Sequence, residues 1–174
     1  RSPQQTHPMP WRTNGLWVGE YVWETSDEPE RPVSFQMDLR ETFLTGIIKG
    51  SIADHIPEPG RISGSRMFRT VSLYKAHEHF WVAPESGGRS PVRLDRYIRE
   101  DFDDEPVDTY SHPEVQFEGR LSLDGREIRG RVFLEPTMVP LLRSGQWLPF
   151  EARVGTWWAM RVATPPPVPS VAPR

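Results

Sequence analysis

His77-Glu78-His79 is the group whose residue types and spacing come nearest to a reactive site. In an unbroken strand, residues two apart share a face, so the two imidazoles would converge on a metal ion such as zinc. A third ligand would have to come from Asp54, His55 or His112. The same histidines fit an exposed hairpin turn beside Lys75, which is the favoured reading, so no metal and no other cofactor is expected. The acidic run Glu100, Asp101, Asp103, Asp104, Glu105 and Asp108 lacks the Asp-x-Asp-x-Asp-Gly spacing and the distal Glu of an EF-hand. It reads as a solvated loop, with a lid or a partner contact as its role. No Gly-x-Ser-x-Gly elbow or phosphate-binding glycine loop is present, and nothing in the spacing singles out a pair of carboxylates for glycoside chemistry. The chain has no cysteine, which removes thiol nucleophiles, thiolate metal sites and disulfides. A non-enzymatic protein with no catalytic residues is the leading expectation; a metal-dependent enzyme is the third reading, distinguished by whether His77 and His79 face a third ligand.

The aromatic residues carry the better functional signal. Trp17, Tyr21 and Trp23 share one face of a strand with Gly19, opposite Leu16, Val18, Glu20 and Val22. Together with Tyr74 and Trp158 they form a candidate ligand-binding set, able to line an apolar cavity while polar tips orient a small apolar or amphipathic molecule. The competing reading is that they fill a core, leaving a structural or protein-interaction domain. Arg40, Arg69 and Arg153 also fall on strand-like segments and would grip a ligand carboxylate bidentately if they pointed inward. An unpaired inward arginine is costly, so outward is their default.

These residues must be positioned by short strands. Alternation is cleanest over 33–40, where Val33, Phe35, Met37 and Leu39 oppose Ser34, Gln36, Asp38 and Arg40. Strands are expected at 16–24, 45–53, 61–66, 68–76, 79–83, 115–123, 127–134 and 150–162, the last broken at Gly155. Asp124-Gly125 predicts a two-residue hairpin turn with positive φ at both positions. An internal echo links Phe35 and Leu39, followed by Ile48-Lys49-Gly50-Ser51-Ile52, to Phe117 and Leu121, followed by Ile128-Arg129-Gly130-Arg131-Val132. Ile62-Ser63-Gly64 is a shorter third copy. Mid-strand glycines in one register mark places where strands coil sharply, as barrel closure requires. A short helix or turn is expected at 93–102, and 135–149 reads as a loop carrying Leu141, Leu142 and Trp147 onto the barrel. Proline-rich segments at 1–14 and 163–174 read as an arm and a tail, leaving one domain at 15–162.

A net charge of −3 and scattered Lys and Arg argue against a nucleic-acid partner. No apolar run approaches the roughly 18 residues of a membrane-spanning helix. A protein partner or self-association stays open, as does the compartment.

Gly15-Leu16-Trp17 at the start of the first strand and Arg161 at the end of the last resemble the lipocalin and avidin-like (calycin) superfamily. That resemblance implies an all-β, antiparallel up-and-down barrel of about eight strands. It also implies structural roles for Gly15, Trp17 and Arg161, the arginine packing on the tryptophan. The Thr-Asp-Tyr signature common in lipocalins is absent, and 85–114 has no counterpart in the family.

Overall fold

A computed structural model describes residues 11–24, 30–56, 59–77, 80–82, 108–142 and 144–162. In chain order the strands are β1 (Gly15–Glu24), β2 (Val33–Glu41), β3 (Ile47–Ala53), β4 (Gly60–Met67), β5 (Thr70–Ala76), β6 (Phe80–Val82), β7 (Thr109–Ser111), β8 (Val115–Leu121), β9 (Glu127–Leu134), β10 (Thr137–Pro140), β11 (Trp147–Phe150) and β12 (Arg153–Arg161). Eight of them, β1 to β5, β8, β9 and β12, form a closed antiparallel barrel in sequence order, sealed by pairing of β12 with β1. The other four form two separate ribbons, β6 with β7 and β10 with β11. The described residues contain no helix. The helix or turn expected at 93–102 lies outside them.

Alternation explains the closure. In β2 the buried side chains are Phe35, Met37, Leu39 and Glu41, and every second residue is exposed, so one face fills the barrel and the other meets water. The two members of the echo are the β2–β3 and β8–β9 hairpins, in the same register at an offset of 80 residues. Gln36 pairs with Ala53 as Gln116 does with Phe133, and Glu41 with Ile48 as Leu121 does with Ile128. The echo as read from sequence matched Phe35 to Phe117; pairing instead equates Met37 with Phe117 and Leu39 with Gly119. A Cβ at Gly50 would lie 2.0 Å from the Asp38 carbonyl oxygen, and one at Gly130 would lie 1.7 Å from that of Glu118. These two carbonyls are themselves 80 residues apart, so both hairpins coil at the same point and only glycine fits there.

Three expectations are corrected. Segment 135–149 is not a loop: β10 and β11 pair directly, and Gly145 at φ 70° turns the chain between them. Pro140 and Pro149 are tolerated because each strand of a two-stranded ribbon has a single ladder partner, so a proline nitrogen can face away from it. Leu141 packs against the core, but Leu142 and Trp147 are exposed. Gly155 does not break the last strand; it pairs with both Trp23 and Val132, and β12 begins at Arg153 because Phe150 belongs to β11. The Asp124-Gly125 hairpin exists, but its loop is wider than two residues: Ser122 N–H donates to the Glu127 carbonyl at 2.8 Å, and only Gly125 takes a positive φ, 71°. The Asp124 carboxylate accepts from Ser122 Oγ at 2.6 Å and Arg126 N–H at 3.1 Å, and these bonds favour the wider turn.

The two ends of the barrel differ. Short turns at 42–46, 68–69 and 122–126 join strands at one end, whereas the longer connections 25–32, 54–59, 77–114 and 135–152 all leave the other.

Candidate functional site

The short-turn end is closed by side chains. Trp17, fully buried, donates its indole N–H to the Thr13 carbonyl at 2.8 Å, and the Arg161 guanidinium lies 4.6 Å from its ring centroid. Arg161 also donates to the carbonyls of Arg12, Asn14 (2.6 Å) and Gly125 (3.3 Å), tying the incoming arm to a hairpin turn. Gly15 takes φ 116°, a conformation that disfavours any side chain. Glu41, at the end of the inward face of β2, accepts from Thr13 N–H (2.8 Å), Thr13 Oγ1 (2.9 Å) and Arg66 Nε (2.8 Å). Burial pushes its carboxyl up, but the Arg66 and Thr13 donors outweigh this and hold it below the usual range.

Above this plug the interior is packed with rings. Phe117 meets Tyr21 and Trp157 edge-on at 5.7 and 5.4 Å between centroids, and Phe35 stacks on Tyr21 at 6.1 Å. Packing stops at Tyr21. Beyond it, the described residues border a cavity of about 750 Å³ at the long-connection end. Its apolar wall comes from Trp23 on β1, Val33 on β2, Val115 on β8, Leu134 on β9 and Phe150 on β11.

The polar groups of this cavity are held in place by pairs. Lys75 occupies the inward position after Val71 and Leu73 on β5, and its ammonium forms a buried ion pair with Asp54. Asp54 also accepts from Ile56 N–H at 3.0 Å and from the Tyr21 hydroxyl at 3.3 Å. Burial pushes the Asp54 carboxyl up, and the adjacent Lys75 charge overrides that, holding it below its ordinary range. Burial, followed by the Asp54 charge, raises the Tyr21 phenol well above its usual range, so it stays a neutral donor. Burial lowers His112, which sits 5.3 Å edge-on from Phe150, keeping its ring neutral at physiological pH. At the rim, Arg153 lies 4.5 Å over the Trp23 ring and pairs with Glu30 at 2.5 Å. The arrangement offers fixed donors and acceptors beside an apolar wall.

The residues expected from sequence are therefore divided. Tyr21 and Trp23 border the cavity, and Trp17 belongs to the closed end. Tyr74 and Trp158 do not join them. Both take outward positions, between the buried Leu73 and Lys75 on β5 and between the buried Trp157 and Ala159 on β12. Of the three arginines, Arg153 reaches the cavity, Arg40 faces solvent, and Arg69 donates to the Leu121 carbonyl at 2.8 Å. His77, His55 and His112 border the cavity, while His79 lies outside the described residues. Among the described residues no three His, Asp or Glu side chains are grouped to hold a metal ion. Of the acidic run only Asp108 is described, and its carboxylate accepts from Ser144 N–H at 3.0 Å.

Lys75 was missed, although the signal was present: a charged residue in the apolar register of an alternating strand. Phe150, Val115 and Leu134 carried no such mark. No protein-family model matches the chain, and no curated protein matches it.

Proposed function

We propose that the chain is a non-enzymatic binding protein that holds a small amphipathic molecule in the cavity beyond Tyr21. The observation that carries this reading is the cavity itself: about 750 Å³, within the usual range of small-molecule sites, with an apolar wall facing a fixed polar cluster. The apolar part of the ligand rests on Trp23, Val115, Leu134 and Phe150. Its polar end meets the side of the cavity that carries Lys75, His112 and Arg153. The resemblance to calycin barrels belongs to this proposal, and the Arg161 stack on Trp17 supports it. The alternative, a barrel filled throughout, fits the half below Tyr21.

Trp23 supplies a reporter. Titration of the full chain with oleate, and separately with anilinonaphthalene sulfonate, is expected to change tryptophan emission saturably. Val115→Trp places a large ring in the cavity and is expected to weaken either probe by about tenfold or more, with the thermal midpoint unchanged or raised. No saturable change with either probe, together with no molecule retained in native mass spectra of the purified protein, would count decisively against a ligand site.

A further inference from the structure

The short-turn end carries a second surface that the cavity does not explain. Its turn tips expose Phe43 and Leu44 between β2 and β3, Met67 at the end of β4 and Phe68 in the turn after it, and Leu123 between β8 and β9. Leu44 is 89% and Phe68 77% exposed, and these are the two non-glycine residues with positive φ among those described, at 76° and 54°. That conformation favours glycine or asparagine, and a large apolar side chain there gains nothing from the core. The tips are bonded into one rim: Arg66 N–H donates to the Gly46 carbonyl and Leu121 N–H to the Arg69 carbonyl, both at 2.8 Å.

Basic residues outnumber acidic ones at this rim. Arg40 and Lys49 stand directly opposite each other on the outer face of β2–β3, and Arg120 and Arg129 occupy the equivalent places on β8–β9. Like charges opposite one another destabilise a sheet, yet both copies of the hairpin keep them. Arg69 and Arg126 add to the same end; of the acids there outside the buried Glu41, Glu127 pairs with Arg129, Asp38 and Glu118 stand two residues from Arg40 and Arg120 on the same outer faces, and Asp124 lies in the β8–β9 turn. In a chain of net charge −3, this end is positive.

We propose that the short-turn end docks on an anionic lipid surface, with the Phe43-Leu44 and Met67-Phe68 tips entering the headgroup region and the surrounding arginines and lysine meeting lipid phosphates and carboxylates. Separate protruding apolar tips inside a basic ring match a soft, negatively charged interface. A folded partner would require a matching cleft for each tip. The cavity opens at the opposite end, so docking leaves it facing water.

The test is cosedimentation of the full chain with phosphatidylcholine vesicles, with and without phosphatidylserine. Binding is expected only with phosphatidylserine and is lost in high salt. Leu44→Asn with Phe68→Asn, which suits the backbone at both positions, is expected to keep or raise the thermal midpoint while weakening binding about tenfold or more. Arg40→Gln with Lys49→Gln is expected to cost about fivefold per charge removed. The proposal is overturned by absence of binding at about 1 mM accessible lipid, where a single acyl anchor would already be bound. It is equally overturned by equal binding to neutral vesicles, or by asparagine variants that bind as wild type. If those variants instead abolish self-association measured by sedimentation velocity, the rim is a contact between copies and the lipid assignment fails.

Discussion

Toward each end of the barrel a buried charged residue sits in an otherwise apolar inward register: Glu41 after Phe35, Met37 and Leu39, and Lys75 after Val71 and Leu73. Each is matched by an opposite charge, Arg66 for Glu41 and Asp54 for Lys75. Their surroundings differ. Glu41 is enclosed by the Thr13 arm and sits beside the Trp17–Arg161 plug, so its bonds are spent on closure. Lys75, Asp54 and Tyr21 lie where packing stops, and Lys75 and Tyr21 border open space. A buried ion pair is weak support for stability by itself. What it does depends on whether protein or cavity lies beside it.

The comparison is broken most directly at the tryptophans. Trp17→Ala removes a fully buried ring, its bond to the Thr13 carbonyl and the surface on which Arg161 stacks. It is expected to cost about 5 kcal/mol in urea unfolding, the upper end for buried aromatics. Trp23→Ala, beside the cavity, should cost less than half of that and should weaken oleate binding instead. Equal stability losses would remove the distinction between a plug and a site.

Next in size is the ion pair at the open end. Lys75→Met strands the Asp54 carboxylate and is expected to cost about 3 kcal/mol at neutral pH, the lower end for a broken buried pair because the cavity lies beside it. Adding Asp54→Leu should recover part of the loss, since no charge then remains buried. A double variant as unstable as the sum of the two singles would mean that the pair is not coupled.

The smallest effect is on pH dependence. Glu41 and Asp54 are both held below their ordinary values of 4.5 and 3.8. A carboxyl depressed in the folded state adds stability that is complete above its unfolded value and is lost as pH falls through the folded one. Stability should therefore begin to decline as pH falls below about 6.5, where the unfolded chain protonates His112, which burial keeps neutral in the fold, and should decline further below about pH 4.5 as the carboxylates are protonated. Glu41→Gln should be less stable at pH 7 yet show a shallower decline in acid. An unchanged acid slope would assign that decline to the open end.

The alternation of Phe35, Met37 and Leu39, and of Trp17, Tyr21 and Trp23, determined by itself that strands would present an apolar face. The recurring mid-strand glycines determined that those strands would coil into a barrel. Turn geometry was less legible, because the Asp124 side chain and the two-stranded pairing of the β10–β11 ribbon supply bonds and tolerances that a dipeptide pattern does not carry. Arg40, Lys49, Arg120 and Arg129 looked scattered because they are far apart in the chain; strand pairing gathers them at one end. Only the tertiary structure decided that the aromatic face of β1 has two roles, Trp17 in a plug and Trp23 in a wall. The period-two pattern says which side of a strand is inside. It holds no information on how far along the barrel other strands have already filled that inside, which depends on register and closure among segments more than 100 residues apart, such as Trp17 and Arg161.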